Sequence, residues 1–207
     1  MVTVEVDPVS VESRLASRQL ACPVCPGVLR PWGWARPRRV HGVPAVVRPR
    51  RARCAGCAVT QVLLPVTMLA RRAYGAATVM AALAARAAGR GHRSISAGIA
   101  VPVGTVRGWL RRMSSRLEPV RAVFLAVASA AGVDQPAPIG AGSRWADTIA
   151  ALGAATAALR ARFGPAGPVG VVTPAAVAAA CSAGRLLSPG WPDGHAAGFA
   201  TRVVPAA

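Results

Sequence analysis

Apolar and polar positions change period several times along this chain, and each change marks an element. Between Arg93 and Met113, in RSISAGIAVPVGTVRGWLRRM, Ile95 and Ile99 lie four apart on one helical face, and Val101-Pro102 interrupts the pattern. Val106, Trp109 and Leu110 then restore an i, i+3, i+4 stripe, with Thr105 placed to cap the second helix. Two short helices separated by a tight turn have helix-turn-helix spacing. Upstream, Val66 to about Ala88 reads as a long alanine-rich helix carrying Leu69, Val79, Met80 and Leu83, ended by Gly89-Arg90-Gly91. It is the expected first helix of a three-helix unit over residues 66–116.

Earlier in the chain the pattern is that of strands. VLRPWGWARPRRV, PAVVRPRR and AVTQVLLP combine prolines with β-branched residues and read as short strands within 21–65. Residues 1–20 read as a flexible polar lead. Downstream, Ser115–Ala131, Ser143–Phe163 and Thr173–Ala183 read as helices, the last two capped by Ser143 and by Thr173 ahead of Pro174. Gly132–Gly142 is a Pro/Gly loop between them, and 188–207 a loose tail. The expected fold is mainly α with a small β zinc ribbon, a three-helix helix-turn-helix unit and a helical C-terminal region over 117–187. That region is available as a bundle or as an arm for homodimerisation.

The strand region owes its name to cysteines. CPVCPG at Cys22–Gly27 is answered by CAGC at Cys54–Cys57, two C-x2-C pairs with 28 residues between them. Each pair offers two thiolates from one turn, and two facing turns close a tetrahedral site of the kind zinc occupies. Cys22, Cys25, Cys54 and Cys57 are therefore the candidate ligands of a structural Zn2+. For so small a unit the metal would hold the fold. A catalytic zinc keeps an open coordination position, usually with His and a carboxylate near, whereas four cysteines fill the shell here. His41 reads as a surface or strand histidine, His92 as structural, and Cys181, without a partner pair, as a buried inert thiol.

Charge sharpens the picture. The 207 residues carry a formal net charge of +18, and all 25 basic residues are arginine. Such a bias is expected from a GC-rich coding sequence, but its placement is regional. Residues 13–117 hold 19 of the arginines and no acid, while the other 102 residues hold all seven acids. A field of that sign attracts polyanions and gives salt-dependent association with phosphates. On the second helix of the pair Thr105, Arg107, Gly108, Arg111 and Arg112 fall on the outer side, where base edges and phosphates are met. Arg93, and Arg48, Arg50 and Arg51 of the RPRRAR run, are further candidate contacts to double-stranded DNA. Trp32 and Trp34 alternate around Gly33, so both rings are expected on one strand face, as core cover first and as base-stacking platforms second.

No basic cap followed by an apolar core opens the chain, and the long charge-free interval Phe163–Gly184 is broken by prolines and glycines. The expectation is a cytoplasmic, nucleoid-associated protein with no membrane role.

A CPxC…CxxC unit, a long helix, then GHRSIS…VPVGTVRGWLRR resembles the zinc-ribbon and helix-turn-helix front end of insertion-sequence transposases. It is similar above all to the short, stand-alone, transposase-like DNA-binding proteins of GC-rich bacteria. The resemblance covers roughly Cys22 to Arg116, and implies that the four cysteines hold the metal and that Thr105–Arg112 meets DNA. It departs from the family pattern at Ser96, where a small residue such as Ala is usual, and at Ala100, where the turn usually has Gly. A complete transposase needs three carboxylates gathered on a sheet. After the helix pair only Glu118, Asp134, Asp147 and Asp193 remain, without a run of strands, and the single tyrosine, Tyr74, sits in the supporting helix. The reading is binding without catalysis, as a regulator or a mobile-element accessory or remnant. The alternatives are the DNA-recognition part of a transposase and a zinc-ribbon adaptor for protein or RNA.

Overall fold

The computed structural model describes residues 1–132 and 140–192. Its order is β1 (Val2–Val4), α1 (Pro8–Ala16), β2 (Leu29–Trp34), β3 (Arg50–Cys54), β4 (Thr60–Pro65), α2 (Ala76–Ala87), α3 (His92–Ile99), α4 (Val103–Ser114), α5 (Leu117–Ala130), α6 (Arg144–Phe163), β5 (Ala166–Gly167), β6 (Gly170–Val171) and α7 (Pro174–Cys181). With seven helices and a four-stranded sheet among the described residues, 45% helix and 17% strand, the chain is a mixed α and β protein rather than a mainly α one.

The chain differs from expectation at its start. Residues 1–20 are no flexible lead: β1 pairs in parallel with β4, Val2 opposite Leu63, and completes a sheet of order β1-β4-β3-β2. After it Asp7 accepts hydrogen bonds from the backbone N–H groups of Val9 and Ser10, and Pro8 supplies the first helical position. The helix so begun buries Val11 and Leu15 against Val4, Leu20, Leu29, Ala52 and Leu63, on the sheet face that also holds Cys22 and Cys54. The signal was present in Asp7-Pro8 and in the four-residue spacing of Val11 and Leu15, but nine residues offer too few turns to stand out.

β2 and β3 pair antiparallel, with a shift in register between Pro31 and Gly33 that leaves Trp32 on a bulge. The alternation that would set both tryptophan rings on one face is interrupted there. Neither ring covers a core: Trp32 is 55% and Trp34 44% exposed. Instead the guanidinium of Arg53 lies 4.8 Å from the centre of the Trp32 ring, and that of Arg50 lies 4.7 Å from Trp34.

The expected helix from Val66 to Ala88 begins ten residues late. From Val66 to Gly75 the backbone hydrogen bonds are spent elsewhere: Met68 N–H donates to Pro65 O, Ala76 N–H to Thr67 O and His41 N–H to Ala73 O. Arg71 is left-handed at φ 56°, which no helix tolerates. Leu69, expected on the helix, is buried in this loop, and Tyr74 precedes the helix instead of lying in it.

From α2 onward one apolar core runs through Val79, Leu83, Ile95, Trp109, Val120, Phe124, Leu152 and Val177. Ala151, Ala155 and Ala158 of α6 are fully buried, so the small side chains let helices approach closely. The caps expected at Ser143 and Thr173 form, each hydroxyl accepting from an amide three residues on. α5 and α6 pack along each other, and α6 and α7 pack on α2, so their apolar faces are consumed inside the chain rather than held out as an arm. Of the expected loop and tail, residues 133–139 and 193–207 lie outside the described residues. Before that limit the chain is not loose: Trp191 is buried, and Arg116 donates to the carbonyls of Ser188 and Trp191.

The two halves meet at Gly184. Its carbonyl accepts from Ala70 N–H, its φ is +75°, and a Cβ there would come within 2.4 Å of the Leu64 side chain. No helix among the described residues is long and apolar enough to cross a membrane.

Candidate functional site

Each cysteine pair sits on a turn that the sheet builds. Cys22 N–H donates to Gly27 O and Leu29 N–H to Leu20 O, closing the first turn ahead of β2. Cys54 ends β3, and its N–H donates to Val59 O across the turn into β4. Backbone amides then point at sulfur in both turns: Val24 at Cys22 and Gly27 at Cys25, Gly56 and Cys57 at Cys54.

The four sulfurs all lie within 4.8 Å of one another, with Cys25 to Cys54 at 3.4 Å and Cys22 to Cys57 at 3.8 Å. A metal bound tetrahedrally at about 2.3 Å from each sulfur spaces its ligands about 3.8 Å apart, so the arrangement is consistent with a metal site. Gly27 is needed here for room rather than for its backbone angles, whereas a Cβ at Gly56 would make ordinary contact. A Cβ on Gly27 would lie 2.9 Å from Cys54 Sγ, and one on Gly56 3.5 Å from Cys25 Sγ.

Electrostatics at the cluster favour a cation. The Cys57 backbone N–H leads the groups that pull the Cys54 thiol down to about 6, against its burial. For Cys57 the Val59 N–H favours the thiolate, but burial and the thiols of Cys25, Cys54 and Cys22 outweigh it and push the group up to about 12. The neighbouring thiols thus oppose ionisation of Cys57, as like charges brought close together do. His41 is not part of the cluster: it is exposed, and its ring stacks on Tyr74 with centres 4.9 Å apart. Cys181 is buried, and burial raises its thiol to about 12.

The second group of candidate residues lies on α4. Between α3 and α4 the chain turns at Ala100, which is left-handed at φ 52° and ψ 44°, the conformation for which glycine is the low-cost residue. Ser96 is buried beneath the turn, and its hydroxyl donates to Val101 O at 2.6 Å. α4 starts three residues earlier than expected, so Thr105 lies inside its first turn, and Pro102 occupies the cap position with no side-chain cap bond. Val106, Trp109 and Met113 are buried, Trp109 meeting Tyr74 edge-on with ring centres 5.2 Å apart. The opposite side leaves Arg107, Arg111 and Arg112 exposed and Thr105 and Gly108 half-buried.

Two hollows flank that side. One, of about 450 Å³, is lined by Arg71, Arg72 and Tyr74 across from Thr105, Arg111 and Arg112. The other, of about 340 Å³, is lined by Gly104, Arg107, Gly108 and Arg111. Thr105, Arg107, Gly108, Arg111 and Arg112 are thus brought together, and Arg93, Arg48, Arg50 and Arg51 line neither hollow. Arg93 is exposed in the first turn of α3, and Arg51 is exposed on β3. Arg48 is exposed and donates to Ala35 O. Arg50 is withdrawn: it pairs with Glu12 at 2.5 Å, donates to Gly33 O at 2.6 Å, and only 14% of its side chain is exposed.

Arg71 and Arg72 are candidates that the sequence pattern does not single out. They belong to the segment expected to be helical, and no spacing in the sequence joins them to α4. The bridge of His41 to Tyr74, the packing of Tyr74 on Trp109 and the burial of Leu69 in the helical core bring that loop against the helix. No family model, no curated protein and no solved structure matches the chain.

Proposed function

We propose that the chain is a double-stranded DNA-binding protein in which α3 and α4 act as a helix-turn-helix and the four cysteines hold a structural zinc. The observation that carries this reading is the division of α4 into a buried Val106–Trp109–Met113 side and an exposed arginine side flanked by basic hollows. A helix held this way can enter a major groove with Thr105, Arg107 and Gly108 toward base edges and with Arg111 and Arg112 toward phosphates. The left-handed turn and the buried Ser96 keep the two helices close, and α2 supports both.

Zinc is the metal of choice because four thiolates form a soft, closed shell that leaves no position for substrate water. In this reading the zinc unit is a scaffold, and the protein binds DNA without catalysing a reaction on it, as a regulator or as an accessory or remnant of a mobile element. Any second copy would dock through exposed residues, since the apolar sides of α5 and α6 are already packed.

Selection of bound sequences from random duplexes at fixed salt tests the reading, followed by Arg107→Ala and Arg111→Ala on the selected site. The expected result is a preferred sequence, a loss of about 1–3 kcal/mol for a base-reading arginine and a relaxed preference at one position. Retention of full affinity and preference by both variants would remove α4 as the reading element.

A further inference from the structure

The hollow between the 71–74 loop and α4 has features that the reading helix alone does not require. Arg71, Arg72, Arg111 and Arg112 all line it, and Thr105 and Tyr74 contribute to its wall. Among the described residues no carboxylate answers them. Glu5 pairs with Arg14, Glu12 with Arg50 and Glu118 with Arg121, while Asp7 caps α1 and Asp147 accepts from Ala141 N–H.

Arg72 carries the sharpest deficit. Its Nη2 donates to Leu187 O, but its Nε is buried without a hydrogen-bond partner. Partial burial, with Arg112 and Arg116 close by, pulls its guanidinium below the ordinary arginine value. Arg71 beside it is held in the left-handed region, a conformation unfavourable for a residue with a side chain. Four guanidinium groups line one hollow with no carboxylate among the described residues to answer them, and an anion brought by another molecule would relieve their mutual repulsion.

We infer that this hollow is a phosphate clamp, in which Arg71 and Arg72 grip one phosphodiester group from the side opposite Arg111 and Arg112. The inference rests on the reading of α4 as the DNA-facing helix and adds residues from outside it. The clamp sets how deep and at what angle α4 lies and reads no base, since phosphate contacts position a protein without carrying sequence information.

Arg71→Gly is the informative variant, because glycine accepts the left-handed conformation and the fold is spared. Duplex affinity of the full chain is measured against salt for the wild type and the variant, on the selected sequence and on a random one. The clamp predicts a loss of five- to tenfold on both duplexes, unchanged sequence preference, a salt slope shallower by about 0.9, and a melting temperature equal to or above wild type. If the wild type binds duplex and Arg71→Gly binds with the same affinity and slope, the clamp is overturned while the reading of α4 stands. If the wild type binds no duplex, that reading falls, and the hollow is judged with inorganic phosphate alone, followed by the arginine Nε–H signals in NMR. Shifts of Arg71 and Arg72 ahead of the other arginines would then mark a site for a free phosphate group, and their absence would overturn the clamp.

Discussion

At the scale of single residues, Ala100 shows how a local conformation is imposed against preference. An L-residue in the left-handed region brings its Cβ against the backbone, and here hydrogen bonds from the Ala100 and Val101 N–H groups to Ser96 O and from the Ser96 hydroxyl to Val101 O close the turn. Ala100→Gly is therefore expected to stabilise the protein by about 0.5 to 1 kcal/mol, net of glycine's greater freedom in the unfolded chain. Denaturant unfolding of the two proteins checks this, and a less stable glycine variant would mean that the turn is held by something other than its backbone angles. Ser96 and Ala100 were legible as departures from a pattern, because the residue types themselves named the spatial demands. Trp32 and Trp34 were not legible, since one bulged residue on β2 changes which side a ring takes and leaves no mark in residue type.

Among the described residues the four-stranded sheet and α1 bury one small cluster, Val4, Val11, Leu15, Leu20, Leu29, Ala52 and Leu63 with Cys22 and Cys54, and the sheet adds Leu64 to a second with Val40, Met68 and Ala70. A core of that size is marginal by itself, so a bound metal would contribute directly to its folding free energy. Native mass spectrometry should find one zinc per chain. Cys54→Ser, or a strong chelator, should release the ion and abolish amide protection in residues 20–65, while the helices from α2 to α7 keep theirs. Loss of protection throughout would show instead that the halves unfold together. The cysteine pairs were readable because their chemistry is in the residue type and their spacing is local. Strand β1 and helix α1 were missed because three and nine residues hold too little periodicity, and the partner that gives β1 its meaning lies some sixty residues away on β4.

For the whole molecule the helical half is one core from α2 to α7, and Cys181 is a probe of its integrity. The thiol is fully buried and raised to about 12 from an ordinary value near 9. A group whose folded value is raised favours the folded state fully below its unfolded value, and that contribution is lost as the pH rises from about 9 toward 12. Thermal unfolding should accordingly fall in midpoint across that alkaline window, and Cys181→Ala should flatten the decline after allowance for its own cavity. An identical decline in the variant would assign the alkaline sensitivity to other groups. By itself the sequence determined what residue type and short spacing can encode: two cysteine turns, an amphipathic helix pair, two capped helices and an arginine-rich, acid-poor middle. Tertiary structure alone decided that the chain's start joins the sheet, that Val66–Gly75 is loop, that Arg50 is spent on Glu12, and that Arg71 and Arg72 face α4. The reason is physical: those outcomes depend on which distant groups compete for the same backbone hydrogen bonds, charges and space, and no local pattern records that competition.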